Sequence, residues 1–183
     1  MGAHIPAGQS SLAVTLDVVS NAERAIVRTT ALAGTSAGSS ISLQVTGNKG
    51  PEVIVLAASS PLSAIVAAVN NVRDSTGVSA ISSTTAANSG VSFVSTAFGS
   101  DQFVVIHDLD TDGNGTRFGS LSNSRDEGKD IYATVNGVLA SAKGLTIKAN
   151  AGNLSLEAVL SSAFGTGSDR FDLTKGGMTF QLG

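Results

Sequence analysis

The sequence predicts an α+β fold, mainly antiparallel β with one principal helix packed on a small sheet and a β-rich second half. Three observations carry that prediction. Period-2 alternation recurs in short stretches, with Ile41, Leu43 and Val45 alternating against polar partners, as a strand with one buried face requires. The best helical period lies at Leu62, Ile65, Val66, Val69 and Val72, which place one apolar stripe on a helix. Aromatic residues (4%) and charged residues (14%) are sparse while small residues abound, a balance suited to sheets joined by many short turns.

The stretch from Ile41 to Ile81 gives the clearest local reading. After the first strand, Thr46 to Gly50 supplies residues that turn tightly. Glu52 to Leu56 is a gapless run dominated by β-branched residues, so a second strand folds back on the first. The helix is expected over 61–74, with Ser60 as its cap and Pro61 at its first position. Gly77 offers a left-handed stop, and Val78 to Ile81 resumes extended chain. The unit reads as strand, turn, strand, helix, strand, with the helix laid across one sheet face.

Taken in order, the remaining elements are shorter. Met1 to Ser11 (1–11) reads as a tag or linker. Leu12 to Val19 and Ala25 to Thr30 read as strands, with a helical turn at Asn21 to Ala25 competing for the second, and Ala33 to Ser40 as a loop. Thr84 to Gly90 is expected to be another loop, followed by Val91 to Thr96 and Gln102 to His107 as paired strands. Asp108 to Lys129 turns polar and is the longest expected loop. Asn136-Gly137 is a strong hairpin signal between Ile131 to Val135 and Val138 to Ala140. Leu145 to Ala149 and Leu154 to Leu160 read as strands, the latter with a helical alternative. Gly165 to Asp169 reads as a turn, and Met178, Phe180 and Leu182 as a last strand. The expected lobes are 12–120, holding the strand-strand-helix-strand unit, and 121–183, which is β-rich.

The series "LQVTGNKG", "PLSAIVAAVNNVRDSTGVSA" and "FGSDQFVVI" resembles the repeat in the variable, surface-exposed region of bacterial flagellins and some hook-associated proteins. "LDVVSNAERAIV" and "DIYATVNGVLASAKGLTIKANAGNLSLEAVL" fit the same family, and "GGMTFQLG" looks like the segment where flagellin chains re-enter their helical core. The resemblance covers roughly Val14 to Gly183. It implies a structural outer domain, secreted and displayed on the exterior of the flagellar filament, with other flagellin subunits as partners. Antibody and host contacts are implied in the same way. The heptad-patterned terminal helices of a whole flagellin are missing, so the chain reads as a monomeric fragment that cannot polymerise. Two alternatives stand beside this: a hook-associated or cap protein fragment, and an extracellular adhesive or calcium-dependent binding module.

Composition bounds the partners. A net charge of −3 and a pI near 5.2 provide no basic footprint for nucleic acid or an anionic membrane. No apolar run approaches a transmembrane span. Cysteine is absent, which removes disulfides and thiolate metal sites.

Candidate chemistry is thin. In "DLDTDGNG", Asp108, Asp110, Asp112 and Gly113 match positions 1, 3, 5 and 6 of a calcium loop. Gly119 falls where the bidentate Glu belongs, and a strand precedes the loop, so a solvated acidic turn accounts for the same residues. These three aspartates are the metal candidates, and no other cofactor is expected. His107 beside hard carboxylates is poor zinc chemistry. "GTSAG" at Gly34 to Gly38 matches the hydrolase elbow formally, but Ser36 lacks the strand, helix and downstream relay that the elbow requires. Asp126, Glu127 and Asp130 could pair as glycosidase carboxylates, yet the chain has no Trp and one Tyr, Tyr132, to build a sugar platform. Asn114 and Asn153 open formal glycosylation sequons. No catalytic residue is assigned, and the chain is expected not to be an enzyme.

Overall fold

The computed structural model describes residues 2–3, 10–30, 40–85, 88–110, 120–121, 124–151 and 154–174. The expected loop at Ala33 to Ser40 (apart from Ser40 itself), the elbow at Gly34 to Gly38 and the last strand at Met178 to Leu182 lie outside them. Two compact units emerge, one made of Met1–Glu23 with Lys129–Gly183, the other of Arg24–Gly128. This differs from a linear cut near residue 120, because the first long strand finds its partners in the C-terminal part of the chain.

The chain opens with β1 (Gly2–Ala3) and β2 (Ser11–Ser20) in the first unit. The second unit follows with β3 (Ile26–Thr30), β4 (Ile41–Gly47), β5 (Gly50–Leu56), α1 (Leu62–Asn71), α2 (Arg73–Thr76), β6 (Val78–Thr85), β7 (Asn88–Ser95) and β8 (Phe103–Asp108). It closes with β9 (Ser120–Leu121) and β10 (Arg125–Glu127). The first unit then resumes with β11 (Tyr132–Val135), β12 (Val138–Leu139), β13 (Ser141–Lys143), β14 (Thr146–Ala151), β15 (Leu154–Val159) and β16 (Gly167–Thr174). The strand pairings among the described residues are antiparallel, and the α+β expectation holds.

In the first unit the sheet orders are β12-β11-β2-β16 and β1-β15-β14-β13. Val14, Leu16 and Val18 alternate along β2 and are buried, as are Ala133 and Val135 opposite them. Asn136 and Gly137 take positive φ, 50° and 77°, and form the expected hairpin turn. Asn136 also binds β2, its N–H donating to the Thr15 carbonyl and its Oδ1 accepting from the Thr15 N–H, both at 2.8 Å. Gly2 and Ala3, expected in a tag, pair with Ser155 and Leu154. The turn expected at Gly165 to Asp169 ends early, because β16 runs beside β2 from Gly167. Where the chain leaves this unit and returns to it, Glu23 and Lys129 form an isolated antiparallel bridge. Their N–H···O bonds measure 2.8 and 3.0 Å, and Lys129 Nζ lies 2.7 Å from Glu23 Oε2.

In the second unit the sheet orders are β10-β8-β4-β5 and β6-β7-β3-β9. Leu43, Val45, Ile54, Leu56, Val104 and Ile106 from the first sheet share one core with Val27, Val78, Ala80, Val91 and Phe93 from the second. The expected hairpin of β7 with β8 does not form: β7 pairs with β6 and β3, while β8 pairs with β4 and β10. Ala97 to Ser100 is therefore a crossover between sheets. The residues expected as a loop at Thr84 to Gly90 instead lengthen a β6–β7 hairpin out to Thr85 and Asn88.

The helix is placed as expected but seated differently. α1 packs on β6 and β7 of one sheet and on β5, an edge strand of the other, rather than across a single sheet face. Ile65 and Val69 are fully buried, with Leu62, Val66, Ala68 and Val72 packed around them. Each fully buried side chain of this size contributes roughly 1.5–3 kcal/mol. Ser60 does not cap the helix; its hydroxyl donates to the Ala57 carbonyl at 2.8 Å, and Pro61 holds the cap position. With Ser60 one residue too early, its oxygen is spent on the preceding turn. Val72 leaves helical geometry (φ −101°, ψ 13°) and divides α1 from α2, and Gly77 ends α2 in the left-handed region.

Val69→Asp should abolish the cooperative unfolding of this unit, because it puts an unpaired charge between two sheets. Ile65→Ala should cost about 2–5 kcal/mol. Urea unfolding followed by circular dichroism checks both, and unchanged midpoints would show that the stripe is not buried.

Candidate functional site

The described part of the acidic stretch, Asp108 to Asp110, continues the sheet. The Leu109 N–H donates to the Ser42 carbonyl at 2.9 Å, extending the β4–β8 ladder past Asp108. Asp110 Oδ2 accepts from the Ser42 N–H at 2.6 Å, and Asp108 Oδ1 accepts from the Asp110 N–H at 3.0 Å. Two of the three metal candidates thus hold backbone amides, while Asp112 lies outside the described residues. Among the described residues no group of three metal-ligating side chains converges.

The other sequence candidates are dispersed. Asp126 Oδ2 accepts from the Ile26 N–H at 2.7 Å, tying β10 to β3. Glu127, on the opposite strand face from Asp126, pairs with Arg125 on its own face at 2.6 Å. Asp130, in the first unit, accepts from the Gly144 N–H at 2.7 Å. His107 is exposed, opposite Gln44 in the register. His4, Ser36, Asn114 and Asn153 are outside the described residues.

A feature that sequence reading missed sits where the β4–β5 turn meets the end of α2. Gly47 packs against the Thr76 carbonyl so closely that any Cβ there would collide with it. Gly77, at φ 76°, approaches Asn48 and Lys49 on the turn. The Lys49 N–H donates to the Thr76 carbonyl at 3.3 Å, and the Thr96 N–H to the Gly77 carbonyl at 2.9 Å. This docking brings Lys49, Arg73, Asp74, Ser79 and Thr96 around an open cavity of about 340 Å³, with Arg24 as a further wall. Lys49 Nζ reaches the Asp74 carbonyl at 3.4 Å, and Arg73 Nε lies 3.5 Å from Asp74 Oδ1. The Arg24 guanidinium stacks over the Phe98 ring at 4.5 Å, and its Nε is buried without a hydrogen-bond partner.

No protein-family model matches the chain, and no curated protein does. Solved structures do resemble its fold. The D2-D3 domains of the flagellar cap protein FliD from Serratia marcescens superpose with a TM-score of 0.61 at 14% identity, over 92% of this chain and 96% of that one. The D2-D3 domains of FliD from Escherichia coli give a TM-score of 0.56 at 21% identity, over 94% of each chain. FliD from Pseudomonas aeruginosa PAO1 gives 0.57 at 15% identity, over 94% of this chain and 84% of that one. The chain therefore has the fold of flagellar cap D2-D3 domains. These neighbours belong to a flagellar filament-related class, but they are not flagellin.

Asp110→Ala should lower stability by about 1.5–3 kcal/mol, since a charged acceptor is removed from the Ser42 amide. The same loss is expected in chelator and in millimolar calcium. Thermal melts in both buffers check this; a loss confined to the calcium samples would assign the carboxylate to a metal instead.

Proposed function

We propose that the chain is the outer, two-unit portion of a flagellar cap-type structural protein, extracellular and carried at the end of the filament. The observation that carries this reading is that the likeness spans nearly the whole of this chain, and so both units, and nearly the whole of the D2-D3 chains. Its partners are then other flagellar proteins, and its work is mechanical rather than catalytic. The engagement of Asp110, Asp126 and Asp130 with backbone amides supports a structural use of the carboxylates.

A second reading, the outer domain of flagellin itself, is favoured by the ordered residue series from "LQVTGNKG" onward. The two differ in where the chain is found. Immunogold labelling of intact cells, with antibodies raised against the purified chain, should mark the distal end of each filament and leave its length clear. Label along the whole shaft would favour the flagellin reading, and label away from flagella would overturn both.

A further inference from the structure

We propose that the corner between the β4–β5 turn and the end of α2 is an oxyanion-binding site, taking a carboxylate, sulfate or phosphate group. Three cationic side chains, Arg24, Lys49 and Arg73, line one cavity against a single carboxylate, Asp74, in a chain whose net charge is −3. Positive charge is therefore concentrated here against the sign of the whole molecule. A cleft lined mainly by one sign of charge raises the local concentration of the opposite ion.

Asp74 does not neutralise the group. Its side chain is 91% exposed, and its contact with Arg73, itself 54% exposed, is a long surface pair of the kind that contributes little. Lys49 spends one donor on a backbone carbonyl at 3.4 Å and an ammonium carries three. Arg24 lines the cavity half-buried; its Nε is closed off from solvent and has no hydrogen-bond partner, so an anion would meet the terminal nitrogens of the guanidinium. Stacking on Phe98 holds the guanidinium plane, so its remaining donors are pre-ordered for a planar or tetrahedral oxyanion. Ser79 and Thr96 complete the wall, the Ser79 hydroxyl donating to the Val94 carbonyl at 3.2 Å.

The volume of about 340 Å³ and the open mouth admit either a free inorganic anion or an acidic sugar presenting its carboxylate. The purified chain should be titrated at low ionic strength with inorganic phosphate, sulfate, glucuronate and, as a neutral control, glucose. Isothermal calorimetry and amide chemical shifts give the readouts. Saturable binding of at least one of the three anions is expected, with shifts confined to residues around Lys49, Gly77 and Thr96, and no response to glucose. Preference for glucuronate would identify a sugar-borne acid as the source, and preference for phosphate or sulfate a free ion; either supports the site. Lys49→Ala and Arg24→Ala should each weaken binding about ten- to hundredfold, as expected for loss of one charge-assisted bond. Arg125→Ala, a cation outside the cavity, should leave binding unchanged. Because Arg24→Ala also removes the stack on Phe98, Lys49→Ala is the decisive variant. Absence of saturable binding by all three anions would overturn the proposal, as would binding that Lys49→Ala leaves intact.

Discussion

Burial of one helical stripe between two sheets is the constraint on which the second unit depends. Without α1, the side of the sandwich between β5 and β6 would expose the core that Leu43, Ile54 and Phe93 share. Ile65 and Val69 remove that surface from water, and the hydrophobic term scales with the area removed. The same seating fixes where the helix must stop. Val72 breaks the first segment, Gly77 reverses the chain, and β6 starts at Val78 already committed to the second sheet. The close approach of Gly47 to Thr76 then locks the β4–β5 turn onto that exit. The cationic corner is thus a by-product of how the helix is closed off.

The legible parts of the fold were those governed by neighbours in sequence. Alternation at Ile41, Leu43 and Val45, the stripe from Leu62 to Val72, the stop at Gly77 and the turn at Asn136-Gly137 all follow from local geometry, and each is present. Partner choice was not legible, because a period of two tells which face of a strand is buried and not which strand lies beside it. That is why β7 and β8, adjacent in the chain, could be assigned to one hairpin although they belong to different sheets. The strands hidden from the sequence, β1, β9, β10, β13 and β16, are sheet edges. β10 is Arg-Asp-Glu, and β16 carries Asp169, Arg170 and Asp172. Charge on an edge discourages pairing with foreign strands, and the same charge makes the segment read as loop.

The candidate site was less legible still. Arg24, Lys49, Arg73 and Thr96 come from four separate places in the chain, and no spacing rule links them. The one local clue was the pair of glycines flanking Lys49 and Arg73 in sequence, which read as turn residues without revealing that Gly47 and Gly77 face the same corner. In the acidic stretch the spacing suggested a ligand loop, and what it did not reveal is that Asp108 and Asp110 accept from backbone amides.

The bridge between Glu23 and Lys129 has an architectural consequence. Because these residues are bridge partners, the exit and re-entry points of the first unit are neighbours in space. Residues 24 to 128 thus form one long excursion between two adjacent ends. Only a short gap has to be spanned at that point to keep the chain of the first unit continuous.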